Sequence, residues 1–510
     1  MNKKASYFLS RHIFISVIRQ TGHFRYFCTK LIIMDLPEDF IRRTRELLGN
    51  EYEAFQAALN AAPINSLRLN TAKISNLLSD RVLWCESGYY LSERLTYTFD
   101  PLFHAGAYYV QEASSMFLEQ VIKQYVHEPV RFLDLCAAPG GKSTHAISVL
   151  PEGSLIVSNE ITDSRINILT ENIIKWGAGN GNIAITHNDA SGFTPLQRYF
   201  DIILTDVPCS GEGMFRKDPN AIKEWSVTNV AQCNERQRSI LNRIWETLRP
   251  GGILIYSTCT YNTDENEQII AYLQKSFDAE LLPITVNNHW NIKKGLSGNL
   301  EVNRFMPHQT QGEGFFMAAL RKPETSYTDR QDLICKLLKK TTRKEKKGNR
   351  RLSIPKEVKN WITNSEAFNF ILNDDKIVAL PKQYTDDITI LSALLDVKYA
   401  GICIASLKGK DWVPEHACAM STSYNRSAFP ETEISQPQAI AYLRRESLQR
   451  SPDTPTGFVL LTYKKVPLGW VKNLGTRANN LYPQEWRIRT GYTPEITKTL
   501  SDLCNDHKSQ

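Results

Sequence analysis

Residues 132–143 read FLDLCAAPGGKS, and this stretch decides the fold. A short apolar strand at 131–135 leads into a turn of small residues with two glycines, and a helix follows the turn. Such a turn brings the backbone close to a ligand at the carboxyl edge of a parallel sheet. The stretch therefore predicts a ligand site where this strand passes into its helix.

Strand and helix patterns continue to alternate downstream of this turn. Apolar strand patterns occur at 154–158, 182–186, 201–205, 252–257 and 314–320, and helical patterns occur at 163–176 and around 230–248. Strands that alternate with helices form βαβ units and a mostly parallel sheet. We predict an α/β protein with a Rossmann-like core, a small N-terminal α/β region and small C-terminal α+β modules.

The chain has 510 residues, which is typical of about three domains. We predict an N-terminal α/β region at 34–125, a core at 126–322, a basic linker at 323–351, a small intermediate domain at 352–428 and a C-terminal module at 429–505. Residues 1–33 contain neither an uninterrupted secretory core nor a cleavage site. We expect them to be a leader from a misassigned start, with translation beginning at Met34.

The composition excludes several classes of protein. Hydrophobic residues make up 42% and charged residues 23%, which excludes a fibrous or globally disordered chain. No apolar run reaches the length of a membrane span, and the net charge of +7 permits an anionic partner without requiring one. The 10 cysteines are scattered without zinc-type spacing, which predicts a cytoplasmic protein with mostly free thiols and no metal.

Two ligand chemistries compete for the glycine turn. A phosphate-binding P-loop needs a glycine where Cys136 stands, although Asp206, after a later strand, could imitate its magnesium-holding acid. A site for S-adenosyl-L-methionine needs an acid at the end of each of the next two strands, for the ribose hydroxyls and the adenine amine. Glu160 and Asp189 stand at those strand ends. Because a P-loop requires neither acid, the sequence favours S-adenosyl-L-methionine.

Two cysteines follow the fourth and fifth strands in polar turns. Cys209 lies in DVPCSGEG and Cys259 lies in STCTY. A thiolate that adds to carbon 6 of cytosine or uracil makes carbon 5 nucleophilic toward a methyl sulfonium, and a thiolate also leaves readily. Asp206 is placed to hydrogen-bond the nitrogen edge of the ring. The residues alone do not decide which cysteine attacks.

Three motifs, DLCAAPGGKSTH, DVPCSGEGMFRKDP and STCTYNTDENE, together resemble the Sun/Fmu (nucleolar-protein) family of RNA cytosine-5 methyltransferases. The resemblance covers roughly residues 60–320. It implies that Cys259 is the nucleophile, that Cys209 assists product release and that Asp206 lies between cofactor and target base. The cofactor-binding residues that it implies are Cys136, Ala137, Ala138, Pro139, Gly140, Gly141, Lys142, Glu160, Asp189 and Asp206, with Arg165 as a further candidate.

The C-terminal stretch GWVKNLGTRANNLYP, at 469–483, is similar to the PUA-like domain of the bacterial subgroup that modifies small-subunit ribosomal RNA. Interleaved aromatic and basic residues suit base stacking and phosphate pairing. We predict RNA contacts by Trp470, Lys472, Arg477 and, close to Cys209, by Arg216 and Lys217. The basic block at 336–351 is either a solvated linker or a phosphate-contacting arm.

These features predict a cytoplasmic, monomeric enzyme that uses S-adenosyl-L-methionine to form 5-methylcytosine in RNA through a covalent cysteine adduct. The predicted target is small-subunit (16S) ribosomal RNA, alone or in the small ribosomal subunit, with transfer RNA as the alternative. The N-terminal region and the PUA-like module are predicted to bind the RNA, and no membrane or metal is expected. Two further alternatives are a methyltransferase for small molecules or proteins and a non-enzymatic RNA-binding assembly factor.

Overall fold

The computed structural model describes residues 34–75, 78–296, 300–324, 330–341, 354–448, 455–492 and 494–506. The expected leader at 1–33 and the most basic part of the predicted linker, at 342–351, lie outside the described residues. Among the described helices, none is long and apolar enough to cross a membrane.

The N-terminal region is a small antiparallel sheet of order β2-β1-β3 with helices beside it. Its elements are α1 (Glu38–Leu48), α2 (Tyr52–Leu59), β1 (Asn65–Leu69), β2 (Gly88–Leu91), α3 (Pro101–His104), β3 (Tyr108–Val110) and α4 (Leu118–Tyr125). Arg68 of the central strand is fully buried and donates to Gln111 at 2.9 Å and to Thr144 at 2.7 Å. Because Thr144 follows the glycine turn in the chain, Arg68 ties this sheet to the core.

The core is a large mixed sheet with helices on both faces. Its elements are β4 (Arg131–Asp134), α5 (Gly141–Val149), β5 (Leu155–Asn159), α6 (Asp163–Trp176), β6 (Ile183–Thr186), β7 (Phe200–Asp206), α7 (Pro219–Glu224), α8 (Val227–Ile244), β8 (Leu248–Thr258), α9 (Glu267–Phe277), β9 (Glu280–Leu282), β10 (Asn303–Phe305) and β11 (Phe315–Arg321). Strands β8, β7, β4, β5 and β6 are adjacent and parallel, and β11 pairs antiparallel with β8. All five residues of β5 are buried, as expected for a strand covered by helices on both sides. The predicted α/β fold with a Rossmann-like core is confirmed.

The remaining elements form two smaller four-stranded sheets and one extension of the core sheet. They are α10 (Arg330–Thr341), α11 (Lys356–Lys359), β12 (Phe368–Asn373), β13 (Lys376–Pro381), α12 (Thr385–Leu394), β14 (Val397–Ala400), β15 (Ile402–Lys408), β16 (Asp411–Pro414), α13 (His416–Met420), β17 (Glu431–Glu433), α14 (Gln436–Leu443), β18 (Gly457–Tyr463), β19 (Val466–Asn473), β20 (Ala478–Asn480) and α15 (Leu500–Asp506). The small sheets have the orders β12-β13-β15-β16 and β17-β18-β19-β20.

The predicted linker and intermediate domain are physically continuous with the core. Helix α10 lies within the predicted linker, and its Leu337 is buried in the same cluster as residues of the central sheet. Strand β14 pairs antiparallel with β6 and so extends the central sheet. Arg131 of β4 forms an ion pair at 2.6 Å with Asp387 of α12. Residues 330–341 therefore pack on the core through apolar residues at helical spacing, and the predicted basic linker at 323–351 remains a prediction.

The C-terminal sheet packs against the N-terminal region. Leu67 and Tyr108 share one buried cluster with Leu461 and Leu468, although these pairs are far apart in the chain. Asp100 accepts hydrogen bonds from the Tyr108 hydroxyl at 2.9 Å and from the Leu500 backbone at 2.8 Å. The two regions therefore share one buried apolar cluster, and the predicted domain boundaries remain predictions.

Candidate active site

The site lies at the carboxyl edge of the five parallel strands. Parallel strands end at the same edge, so the turns that follow β4, β5, β6, β7 and β8 lie side by side. These turns carry the predicted cofactor residues and both predicted cysteines. The structure therefore brings the candidate groups from five distant stretches of sequence to one edge.

The glycine turn prepares a helix N-terminus. Gly140 has φ +109°, a left-handed conformation that strains any residue with a Cβ atom, and α5 begins at the next residue. The Asp134 carboxylate before the turn accepts from Ser143 Oγ at 2.7 Å, and its other oxygen has no hydrogen-bond partner among the described residues. Burial raises the pKa of Asp134 to about 7. The turn thus offers a ligand the positive end of a helix, and Asp134 lies buried beneath it.

The two acids at the next strand ends differ in environment. Glu160, after β5, is 2% exposed, accepts from the Thr162 backbone at 2.9 Å and faces Arg165 at 3.4 Å. Arg165 also donates to the Ala138 carbonyl, so it joins Glu160 to the glycine turn. Asp189, after β6, is half-exposed, and hydrogen bonds from Ser191 lower its pKa. These two acceptors fit the hydroxyl and amine donors of S-adenosyl-L-methionine.

Lys142 and Asp206 form a short ion pair between the glycine turn and the cysteine turns. Lys142 Nζ lies 2.7 Å from Asp206 Oδ2, and Ser257 Oγ donates to Asp206 Oδ1 at 2.7 Å. Burial disfavours the lysine charge, but the Asp206 carboxylate outweighs burial and raises the pKa of Lys142. The Asp206 carboxylate is held by both partners and remains one-third exposed. It is therefore fixed in direction yet accessible to a ligand.

The two predicted cysteines face each other at the ends of adjacent strands. Their Sγ atoms are 3.3 Å apart. The hydrogen bond with Cys259, together with burial, raises the pKa of Cys209 well above its usual range. The Cys209 thiol therefore stays protonated while it contacts Cys259. Burial also raises the pKa of Cys85 and Cys403, to about 12, as expected for thiols in the core.

Sequence reasoning missed the buried polar residues that connect the two cysteine turns. Glu212 accepts from the Tyr261 backbone at 2.8 Å, and Glu265 accepts from the Ser210 backbone at 3.0 Å. Asn262 donates to Glu265 at 2.8 Å. The signal was present, because these residues lie within the two motifs that contain the cysteines. Nothing in the sequence marked their side chains as pointing inward.

Arg216 is not an exposed RNA contact, and the structure corrects this prediction. Its side chain is 3% exposed, and its guanidinium binds Glu313 at 2.6 Å and the Ala58 carbonyl at 3.2 Å. Lys217 is one-third exposed, with Nζ 3.5 Å from Glu313. Arg216 thus joins the turn that follows Cys209 to other parts of the fold, while Lys217 keeps solvent access.

Replacing Arg216 with methionine is expected to destabilise the protein rather than to weaken RNA binding selectively. Removal of one partner of a buried pair costs about 3–5 kcal/mol because the other charge stays buried. Calorimetric unfolding measures the loss, with Lys217→Met as the control for a more exposed pair, expected to cost about 1 kcal/mol or less. Unchanged stability with weakened RNA binding would restore Arg216 as an RNA contact.

The predicted RNA contacts in the C-terminal module divide into buried and exposed residues. Trp470 is 1% exposed and donates to the Glu415 carbonyl at 2.9 Å, so it cannot stack on a base, and this prediction is wrong. Lys472 lies 3.2 Å from Asp411 with one-third of its side chain exposed. Arg477 is exposed. The alternation of β19 places Trp470 and Lys472 on one face, where the lysine reaches solvent from above Phe458.

The fold and the site together define a methyltransferase, and comparison with known proteins gives its family. Residues 122–321 match the model of the 16S rRNA methyltransferase RsmB/F, residues 36–113 the N-terminal domain of 16S rRNA methyltransferase RsmF, and residues 429–488 the methyltransferase RsmF PUA domain. The chain belongs to the family of ribosomal RNA small subunit methyltransferase F. The resemblance found in the sequence motifs is therefore confirmed.

Two relatives illustrate how much of the chain the family covers. Ribosomal RNA small subunit methyltransferase F of Shigella boydii serotype 4 (strain Sb227) is 31% identical over 482 residues, which cover 88% of this chain and 96% of the relative. The same enzyme of Citrobacter koseri is 30% identical with the same coverage. Among solved structures, PH0851 has a TM-score of 0.52 and 24% identity, and the match covers 56% of this chain and 66% of that chain. This last likeness shows the fold alone.

Proposed function

We propose that this protein methylates carbon 5 of a cytosine in 16S ribosomal RNA, with S-adenosyl-L-methionine as methyl donor and Cys259 as covalent nucleophile. One observation carries the proposal. Two thiols lie 3.3 Å apart at the ends of adjacent strands, beside an acid that also contacts the lysine of the glycine turn. Methyl transfer to nitrogen or oxygen requires no thiol, whereas transfer to carbon 5 of a pyrimidine requires a nucleophile that adds and then leaves.

The cofactor would be held by the glycine turn at 136–142 and by the acids Glu160 and Asp189. When bound, S-adenosyl-L-methionine supplies an electrophilic methyl group on a sulfonium. Arg165 would act indirectly, because it fixes Glu160 against the Ala138 carbonyl. A cytosine must leave its stack to bring carbon 6 against Cys259.

In the covalent steps, Cys259 is the attacking thiolate and Cys209 the release group, which are the roles that the resemblance to the family implies. The Cys259 thiolate adds to carbon 6, and the electron pair of the 5,6 double bond becomes available at carbon 5. Carbon 5 takes the methyl group, and a base then removes the proton that carbon 5 still carries. The electron pair of that C–H bond re-forms the 5,6 double bond and expels the Cys259 thiolate. Cys209, protonated and in contact with Cys259, assists this last release and gives the departing sulfur a hydrogen-bond donor.

Asp206 would select cytosine and hold the ring. Its carboxylate can accept a hydrogen bond from the exocyclic amine of cytosine, a group that uracil lacks. Lys142 and Ser257 fix the carboxylate before the base arrives, so little reorganisation is needed in the transition state. The RNA would be held by the N-terminal region and the PUA domain, with Lys217, Lys472 and Arg477 as the exposed cationic candidates.

Bisulfite sequencing of RNA from cells with and without the gene tests the reaction and its target together. We expect loss of a 5-methylcytosine in 16S ribosomal RNA, restored by the wild-type gene and not by a Cys259→Ala copy. Loss of a 5-methylcytosine in transfer RNA would support carbon 5 methylation and would show that 16S ribosomal RNA is not the substrate. If no site is lost from any RNA, carbon 5 methylation is wrong.

A further inference from the structure

The turns that carry the two cysteines are joined by two crossed carboxylates. We call residues 207–213 the β7 turn and residues 259–266 the β8 turn. Glu212 of the β7 turn accepts hydrogen bonds from two backbone amides of the β8 turn, Tyr261 at 2.8 Å and Asn262 at 2.9 Å. In the opposite direction, Glu265 of the β8 turn accepts from the Ser210 amide of the β7 turn at 3.0 Å. Each turn therefore supplies an acceptor for the backbone of the other.

Asn262 links the two carboxylates to each other. Its side-chain amide donates to Glu212 at 3.1 Å and to Glu265 at 2.8 Å. Gln237 of α8 also donates to Glu265 at 2.8 Å. Between these bonds, the Gly213 amide donates to the carbonyl of Cys259 at 2.8 Å. The carboxylates thus bind amides within a few residues of each thiol.

Burial of the two carboxylates costs free energy of folding, which argues that they have a specific role. Glu212 is 2% exposed and Glu265 is fully buried, and in the described residues neither forms an ion pair with a lysine, arginine or histidine. Burial raises the pKa of Glu265 in spite of its hydrogen bonds. Two buried carboxylates held by neutral donors cost more free energy than apolar side chains of the same volume. What they provide is a fixed relative position of two backbone turns.

We propose that Glu212 and Glu265 are positioning residues that hold the β7 and β8 turns in register and thereby set the separation of the Cys209 and Cys259 thiols. The thiol separation is a property of the protein alone, whereas its catalytic consequence rests on the proposed function. Because Glu265 binds the residue next to Cys209, its loss affects release of the adduct first. Because Glu212 binds the residues after Cys259, its loss affects the attack.

A trivalent arsenical measures the thiol separation without RNA or cofactor. Phenylarsine oxide binds two thiols at once, so its affinity falls when they move apart. In the full-length protein, the difference in binding between wild type and Cys209→Ala isolates the Cys209–Cys259 pair from the other cysteines. We expect Glu265→Gln and Glu212→Gln to weaken binding at this pair about tenfold. Both oxygens of each carboxylate accept hydrogen bonds, so the NH₂ of a glutamine must face a donor, and the side-chain amide of Asn262 is that donor at Oε1 of both residues.

Asp264→Asn is the matched control. Asp264 precedes Glu265 in the same turn, but its carboxylate binds Arg43 and Gln268 and does not contact the β7 turn. This variant is expected to bind the arsenical as wild type does. If a glutamine variant does not fold, Asn262→Ala removes the shared donor without adding a repulsive group and is expected to act in the same direction with a smaller effect.

A kinetic measurement separates positioning from general damage. Glu265→Gln is expected to lower kcat about tenfold or more without change in KM for the cofactor, and to increase covalent protein–RNA adduct. Arsenical affinity within twofold of wild type in all folded variants would overturn the proposal. A different outcome would separate the two proposals. If the wild-type protein methylates no RNA but both glutamine variants still weaken arsenical binding, the proposed function is wrong and the positioning role stands.

Discussion

Cys259→Ala is expected to abolish methylation of 16S ribosomal RNA while cofactor affinity stays near that of wild type. Without the thiolate, carbon 5 of cytosine is not a nucleophile, so the loss in kcat is on the order of 10⁴-fold or more. The predicted cofactor residues lie in the turns after β4, β5 and β6 and, for Asp206, at the end of β7, whereas Cys259 follows β8. Transfer of a labelled methyl group to RNA measures activity, and isothermal titration with the cofactor measures binding.

Cys335→Ala is the control for this experiment. Cys335 is exposed on α10 and belongs to no part of the site, so its replacement should leave both quantities unchanged. Measurable turnover by Cys259→Ala would contradict the assignment of the nucleophile. Cys209 would then be the next candidate, because the thiols are adjacent and the residues alone do not rank them.

Cys209→Ala is expected to trap the enzyme on its RNA. The Cys209 thiol contacts Cys259 and is held in its protonated form, so its removal takes a proton donor from the release step and leaves the attack intact. Loss of one proton-transfer group lowers turnover about 10²- to 10⁴-fold. Denaturing gel electrophoresis with labelled RNA is expected to show a retarded band that wild type does not accumulate.

The double variant Cys209→Ala/Cys259→Ala completes this test. If the retarded band is a Cys259 adduct, the double variant gives none. A band that persists in the double variant would place the covalent bond on another residue. Absence of a band from Cys209→Ala with near-normal turnover would show that release does not need this thiol.

The burial of Arg216 and Trp470 shows that local composition does not determine whether a side chain is exposed. Trp470 occurs in a stretch where basic and aromatic residues alternate, which is the composition of an RNA-binding surface, and Arg216 follows closely after Cys209. The fold buries Trp470 under Glu415 and Tyr424 and buries Arg216 against Glu313. Whether a side chain reaches solvent depends on what packs over it, and those partners lie tens to hundreds of residues away.

The positions of the strand ends, unlike the exposure of Arg216 and Trp470, can be predicted from local sequence. A parallel sheet forces the carboxyl ends of its strands to one edge, so recognition of each strand was enough to bring Glu160, Asp189, Asp206, Cys209 and Cys259 together. The alternation of short strands with helices, and the two motifs that contain the cysteines, are local properties of the chain. The sequence alone therefore determined the fold class, the family and the edge of the sheet at which the residues meet.

Only the tertiary structure decided the 3.3 Å contact between the thiols, the Lys142–Asp206 ion pair, the crossed carboxylates of Glu212 and Glu265 and the pairing of β14 with β6. Each of these joins segments separated by many residues, and each depends on the direction of a side chain or the register of a strand. Periodicity and propensity describe a residue and its near neighbours. Contact distances that are set to within a few tenths of an ångström follow instead from the close packing of the whole core.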